Sequence, residues 1–251
     1  MIGGDGPISL SGVVAEIEIS KARIVAASDE GTLELLRYPV IALASGDPAI
    51  YLVHGRLLIE GVAVEASRKL IMGDYPGLTL HHDTAMTREA ARQVSAAAGT
   101  PIDPIVIDVN ASSLGEPEFA PAIAALFEEF GVAASSIGFR TLALDLTRQS
   151  SPSYLGLLEL LERGHPVWLT RFASAVTGST LDGAYIEVTT SYLQRLCSSA
   201  DGFGLLPQLL EVWRTAHVRM VAMDVQTDEQ LKFIGELGIE YAVGPAAAAI
   251  S

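Results

Sequence analysis

The densest group of potential metal-binding side chains in the sequence is His81-His82 followed by Asp83. Adjacent side chains on a strand point to opposite faces, so the two imidazoles are poorly placed to chelate one ion. Next to a helix that the pattern starts at Thr84, Asp83 or Thr84 reads as a cap. Cys197 is the single cysteine and has no basic or helix-start neighbour to activate its thiol, so it reads as a small core residue. A lone cysteine also excludes an internal disulfide framework and suits a reducing compartment. The serine pairs at 112–113 and 150–151 lack the G-x-S-x-G elbow of a hydrolase nucleophile. Neither a G-x-G-x-x-G nor a P-loop pattern is present to cradle phosphates, so no cofactor is expected.

The elements that must position any site come from the hydropathy pattern. The 251 residues are 49% hydrophobic and 18% charged, which fits one large buried core. Thirty acidic against 16 basic residues give a net charge of −14, which argues against binding nucleic acid or an anionic membrane. No apolar run approaches the roughly 20 residues of a membrane span, and no secretory signal pattern stands out, so a cytoplasmic location is expected. Residues 1–32 read as a Gly-rich lead-in with a helix over 13–28, and 33–251 as one domain.

LELLRYPVIAL and AIYLVHGRLLI flank a Ser-Gly-Asp-Pro turn and read as a hairpin. Strands are expected at 105–109, 137–144, 166–169, 185–188, 218–223 and from Ile239 to Val243. Helices are expected at 84–98, 117–130, 152–163 and 205–214. Thr227 and Gln230 form a capping-box signal for one more helix, which Gly238 ends. Strands alternating with helices after a hairpin predict an α/β fold of the (β/α)8 barrel type, with a doubly wound sheet as the alternative.

Five segments, in order, carry a family resemblance. RYPVIALASGDPAIYLVHGR is similar to YQPIVDL.TG.IVGYEALLR, and IDVNASSLGEPEFAPAIAALFEEFGV to VSVNLS…L…F…L…G. VWLTRFASAV is similar to a strand ending in DDFGTG, YIEVTTSYLQRL to LKIDRSFV, and MVAMDVQTDEQLKFIGELGIEYAVG to VVAEGVETEEQL…LG.DY.QG. The chain thus resembles the EAL domain of cyclic-di-GMP phosphodiesterases. That resemblance implies a modified TIM barrel whose first strand runs antiparallel. In the family, two divalent cations, usually Mg²⁺ or Mn²⁺, hold the water that cleaves one phosphodiester bond.

Carried over position by position, the resemblance places the family's first glutamate on Leu52 and its asparagine on Asn110. The glutamate of an ELTE-like motif falls near Arg140, and the two aspartates of DDFGTG on Thr170 and Arg171. The lysine of LKID corresponds to Glu187, the glutamate of AEGVE to Met223, and a late glutamine to Val243. Only Asn110 keeps the family's residue. Leu, Met and Val offer a hard cation no oxygen, and arginine brings positive charge where dications would sit. The resemblance therefore implies a degenerate EAL domain, a pseudo-phosphodiesterase with no catalytic residue and no metal.

Arg56 matches an arginine that contacts a ligand phosphate in the family, so a cyclic-di-GMP receptor that does not hydrolyse is the alternative. A rewired metal-dependent phosphodiesterase is a third reading. Arg140, Arg171 and Glu187 converge at the carboxyl end of the barrel if the resemblance holds. They would form either an anion pocket or an ion-pair plug in which arginine replaces a lost metal. Leu52, Val53 and Met223 are expected at an apolar barrel mouth. The function expected is a regulatory protein-interaction module in bacterial signalling, with a partner protein and with a homodimer compatible.

Overall fold

In the computed structural model, the described residues are 33–59, 62–65, 76–97, 103–142, 150–170, 182–198 and 202–250. The expected helix at 13–28 lies outside them. Strands β1 (Leu33–Ala42) and β2 (Pro48–Ile59) form the expected antiparallel hairpin. β3 (Val62–Glu65) pairs with the far end of β2 and was not anticipated. β4 (Ile105–Asp108), β5 (Ile137–Leu142), β6 (Val167–Thr170), β7 (Tyr185–Thr189), β8 (Arg219–Met223) and β9 (Tyr241–Ala242) follow. β2 runs parallel to β4, and the pairing continues in parallel to β9. β9 then pairs antiparallel with β1. With β1 also on β2, the sheet closes into an eight-stranded barrel whose first strand is the antiparallel one, and β3 extends it at one edge.

The helices among the described residues are α1 (Pro76–Ala96), α2 (Ala111–Leu114), α3 (Phe119–Phe130), α4 (Pro152–Glu162), α5 (Thr190–Ser198), α6 (Gly202–Thr215), α7 (Asp228–Glu236) and α8 (Pro245–Ala248). α3 forms because Phe119, Ile123, Leu126 and Phe127 recur at helical spacing and are all buried. Gly131 ends it in the left-handed conformation, at φ 64°. At α7, the Thr227 hydroxyl accepts from the Gln230 N–H at 3.3 Å. The Gln230 amide oxygen reaches back to the N–H of Gln226 at 2.7 Å, one residue before the usual capping-box partner.

Alternation sorts the strand side chains into two apolar clusters. The outer faces pack against the helices through residues such as Ile105, Ile107, Phe139, Leu169 and Ile186. The inner faces fill the lumen with Val40, Ile50, Leu52, Val106, Trp168, Tyr185 and Val221. Trp168 stacks on Tyr185 with ring centroids 4.6 Å apart and planes at 14°. Arg219 lies over the same tyrosine ring at 5.2 Å and donates to its hydroxyl. The lumen is a packed interior, as small barrels require.

Three expectations need correction. α1 starts at Pro76, so His81, His82 and Asp83 lie inside a helix and Asp83 caps nothing. A polar triplet imitated a helix start, yet the helix's inner face itself carries the buried polar side chains Thr79, His82, Asp83 and Thr87. The last strand is shorter than expected, because only Tyr241 and Ala242 meet neighbours on both sides. Val53 is not at the mouth. It follows Leu52 on β2, so it points to the outer cluster.

Candidate functional site at the barrel mouth

The carboxyl ends of the parallel strands set the site, because each places its last inward-facing side chain at one mouth. Asp108 on β4 and Arg140 on β5 are register partners. The Arg140 guanidinium donates to Asp108 Oδ1 from Nη1 at 3.0 Å. It also donates to Glu187 on β7, from Nε to Oε1 at 2.6 Å and from Nη2 to Oε2 at 2.9 Å. A planar fork meeting a carboxylate at two points is the strongest form of this pair. The arginine thus ties β4, β5 and β7 together. His54 on β2 stands beside this group: its Nδ1 lies 3.5 Å from Asp108 Oδ2, and its ring meets Tyr38 edge-on at 5.3 Å.

Burial sets the electrostatics. Glu187 is 6% exposed, and that burial pushes its carboxyl above the ordinary range against the pull of Arg140. Asp108 and Asp224, both acidic, push in the same direction. Burial alone would favour a neutral Arg140, but its hydrogen bonds to Glu187 and the charge of Asp108 outweigh it and hold the guanidinium more firmly protonated than usual.

Above the pair opens a cleft of about 460 Å³, lined by Arg140, Thr170, Glu187, Tyr192, Arg195 and Asp224 among others. Asp224 follows β8 with φ 60°, a left-handed conformation that aspartate tolerates better than most side chains. Gly244 faces it from the other side of that loop: at φ 146°, a Cβ there would fall 2.3 Å from the Val225 carbonyl oxygen, so only glycine fits.

The other predicted positions divide four ways. Leu52, 2% exposed, is part of the apolar lumen, and Met223 and Val243 pack against it. Thr170, at 8% exposure, Glu187 and Met223 line the cleft. Asn110 is turned away from it. Its backbone N–H donates to Asp83 Oδ2 at 2.7 Å, and its side-chain amide donates to both oxygens of that carboxylate at 3.2 Å. Arg171 lies outside the described residues. Arg56 sits on β2 opposite Glu34 on β1 and Glu65 on β3, and its side chain is outside the described set.

Sequence reasoning missed Asp108, Asp224, Tyr192 and Arg195. Asp108 left a usable signal: it is the one charge in IVIDV and shares a face with Val106, so it had to enter the lumen and find a cation. Tyr192 and Arg195 sit on α5, a nine-residue helix that the expected helices did not include. Among the described residues, no three His, Cys, Asp or Glu side chains are grouped to hold a metal ion. No described helix is long and apolar enough to cross a membrane.

Comparison with known proteins agrees with this architecture. A family model described as the EAL domain matches residues 39–249. No curated protein matches the chain. The FimX EAL domain of Xanthomonas citri, solved with c-diGMP, is similar at a TM-score of 0.78 and 16% identity, covering 93% of this chain and 94% of that one. The PaMucR phosphodiesterase, solved as a c-di-GMP complex, gives 0.75 and 16%, covering 91% and 94%. The EAL enzyme Bd1971, solved with cAMP and cyclic-di-GMP, gives 0.75 and 10% over 94% of this chain, which spans 66% of that protein's length. Identities this low speak for the fold, while the family model spans most of the sequence. The chain belongs to the EAL domain family, related to the cyclic-di-GMP phosphodiesterases.

Proposed function

We propose that this chain is a non-catalytic EAL barrel, a regulatory module that binds a partner protein in bacterial signalling of the motility or biofilm type. One observation carries the reading: the guanidinium of Arg140 lies between the carboxylates of Glu187 and Asp108 at the barrel mouth. Hydrolysis in the family, as the resemblance has it, needs two hard cations there, and hard cations need converging oxygens. Leu52, Met223 and Val243 supply none, and Asn110 spends its amide on Asp83. The carboxylate oxygens that remain face an arginine, so the residues present do not fit a two-metal centre.

A second reading, a cyclic-di-GMP receptor without turnover, draws on the open cleft and the exposed cation Arg195 at its rim. All three of the similar structures named above were solved with that dinucleotide, and Arg56 matches a phosphate-contacting arginine of the family. Isothermal titration of cyclic-di-GMP into the full chain separates the two, first in EDTA and then in Mg²⁺. The interaction module gives no heat in either buffer. Saturable binding without metal, weakened by Arg56→Ala, would replace it with the receptor. Pull-down from a bacterial lysate, compared with a surface-charge variant of the same chain, then seeks the partner.

A further inference from the structure

We infer that Arg140 is a built-in counter-cation: its guanidinium takes the structural place of the metal ions at this mouth and keeps divalent cations out. The inference rests on the non-catalytic reading in taking the mouth to work without metal, and it goes further in assigning one residue the metals' mechanical role.

The geometry carries it. Three strands end in groups that a single cation must reconcile: Asp108 on β4 and Glu187 on β7, with Arg140 reaching both from β5. Asp224 adds a third carboxylate to the same cleft. Glu187 is buried and Asp108 partly so, while Asp224 is exposed; without a cation the first two would repel each other, and Glu187 would be desolvated with nothing in return. A dication can solve this with oxygen ligands, and a guanidinium can solve it with a planar fork. Here the fork is complete on Glu187, and the remaining edge reaches Asp108. A divalent ion approaching the same oxygens would meet a full positive charge at hydrogen-bond distance.

The pair is also rigidly seated. Arg140 pairs in register with Trp168 on the neighbouring strand, and Trp168 is fully buried against Tyr185. The guanidinium is therefore anchored beside the packed lumen and faces the cleft.

The test is thermal unfolding of the full chain in EDTA and in millimolar Mn²⁺, for wild type and two variants. Wild type should unfold at the same temperature in both buffers. Arg140→Ala should lose roughly 6–20 °C in EDTA, because it leaves the buried Glu187 without its counter-charge. Mn²⁺ should restore part of that loss. Arg140→Ala combined with Glu187→Gln should regain stability over the single variant and no longer respond to Mn²⁺. Wild type stabilised by Mn²⁺ would overturn the inference, as would Arg140→Ala that matches wild type or ignores Mn²⁺. If Arg140→Ala fails to fold, a folded double variant supports the inference and an unfolded one overturns it. Conversion of cyclic-di-GMP to a linear dinucleotide by wild type would instead sink the non-catalytic reading. An inactive wild type with an Arg140→Ala variant indifferent to Mn²⁺ would sink the counter-cation alone.

Discussion

Leu52→Glu restores the acidic side chain that the family resemblance places at this position, and the structure predicts that it damages the fold without restoring chemistry. Leu52 is 2% exposed in the lumen beside Val40, Ile50, Val106 and Trp168. The nearby cation cannot rescue a new carboxylate, because Arg140 already donates to Glu187 and Asp108. The new group must therefore be protonated in the folded state. Holding a glutamate of ordinary pKa near 4.3 neutral at pH 7 costs at most about 3.7 kcal/mol. Lost apolar contact and an unpartnered hydroxyl add roughly 1–2 kcal/mol. For a chain of this size, a total near 5 kcal/mol lowers the melting temperature by roughly 10–20 °C.

The pH dependence has a definite sign. The new carboxyl has a folded pKa above its unfolded value, so its contribution is most favourable at low pH and is lost as pH rises. The deficit against wild type should be largest at neutral pH and shrink as pH falls, and only well below the unfolded pKa of about 4.3 does the packing loss alone remain. Thermal unfolding of both proteins at several pH values, with and without Mn²⁺, reads this directly. A variant as stable as wild type at pH 7, or one that Mn²⁺ stabilises and that then cleaves the dinucleotide, would refute the dry apolar lumen.

Other predictions follow from single contacts. Asp83→Ala removes the acceptor of the Asn110 N–H and amide and should cost about 2–4 kcal/mol in urea unfolding; a loss below about 0.5 kcal/mol would show that the contact contributes little. Thr227→Ala removes the hydroxyl that caps α7 and should cost about 1 kcal/mol, with Thr227→Ser close to wild type. His165 is buried between Phe127 and Phe139, and burial, with Arg163 nearby, holds its ring below the ordinary value of 6.5. Its neutral form therefore contributes stability above that pH that is lost as pH falls through the lowered value. An NMR titration should find the ring's midpoint below 6.5, and a ring that titrates at or above 6.5 would contradict its burial.

The barrel was legible because period-2 and period-3.6 patterns are local. The Gly-Asp turn, the run IVIDV, the phenylalanine stripe of α3 and the Thr227 cap each announce an element within a few residues. What failed was non-local. The triplet His81-His82-Asp83 looks like punctuation in sequence, and only the contact with Asn110, 27 positions on, explains a buried aspartate inside a helix. β9 was overdrawn because apolar alternation runs past the two residues that pair. The resemblance brought Arg140 and Glu187 to one mouth, and the structure joins them by two hydrogen bonds. Asp108, the third member, falls on no position that the resemblance singles out, and its only sequence signal is a lone charge inside a buried strand.

The most direct test of the central claim is a phosphodiesterase assay on the full chain. Cyclic-di-GMP would be incubated at high protein concentration with Mn²⁺ or Mg²⁺, and the products separated by chromatography. A non-catalytic barrel leaves the cyclic dinucleotide intact in both metals. Metal-dependent appearance of the linear dinucleotide, absent in EDTA and abolished by Glu187→Gln, would contradict it and mean that Arg140 yields its carboxylates to a metal.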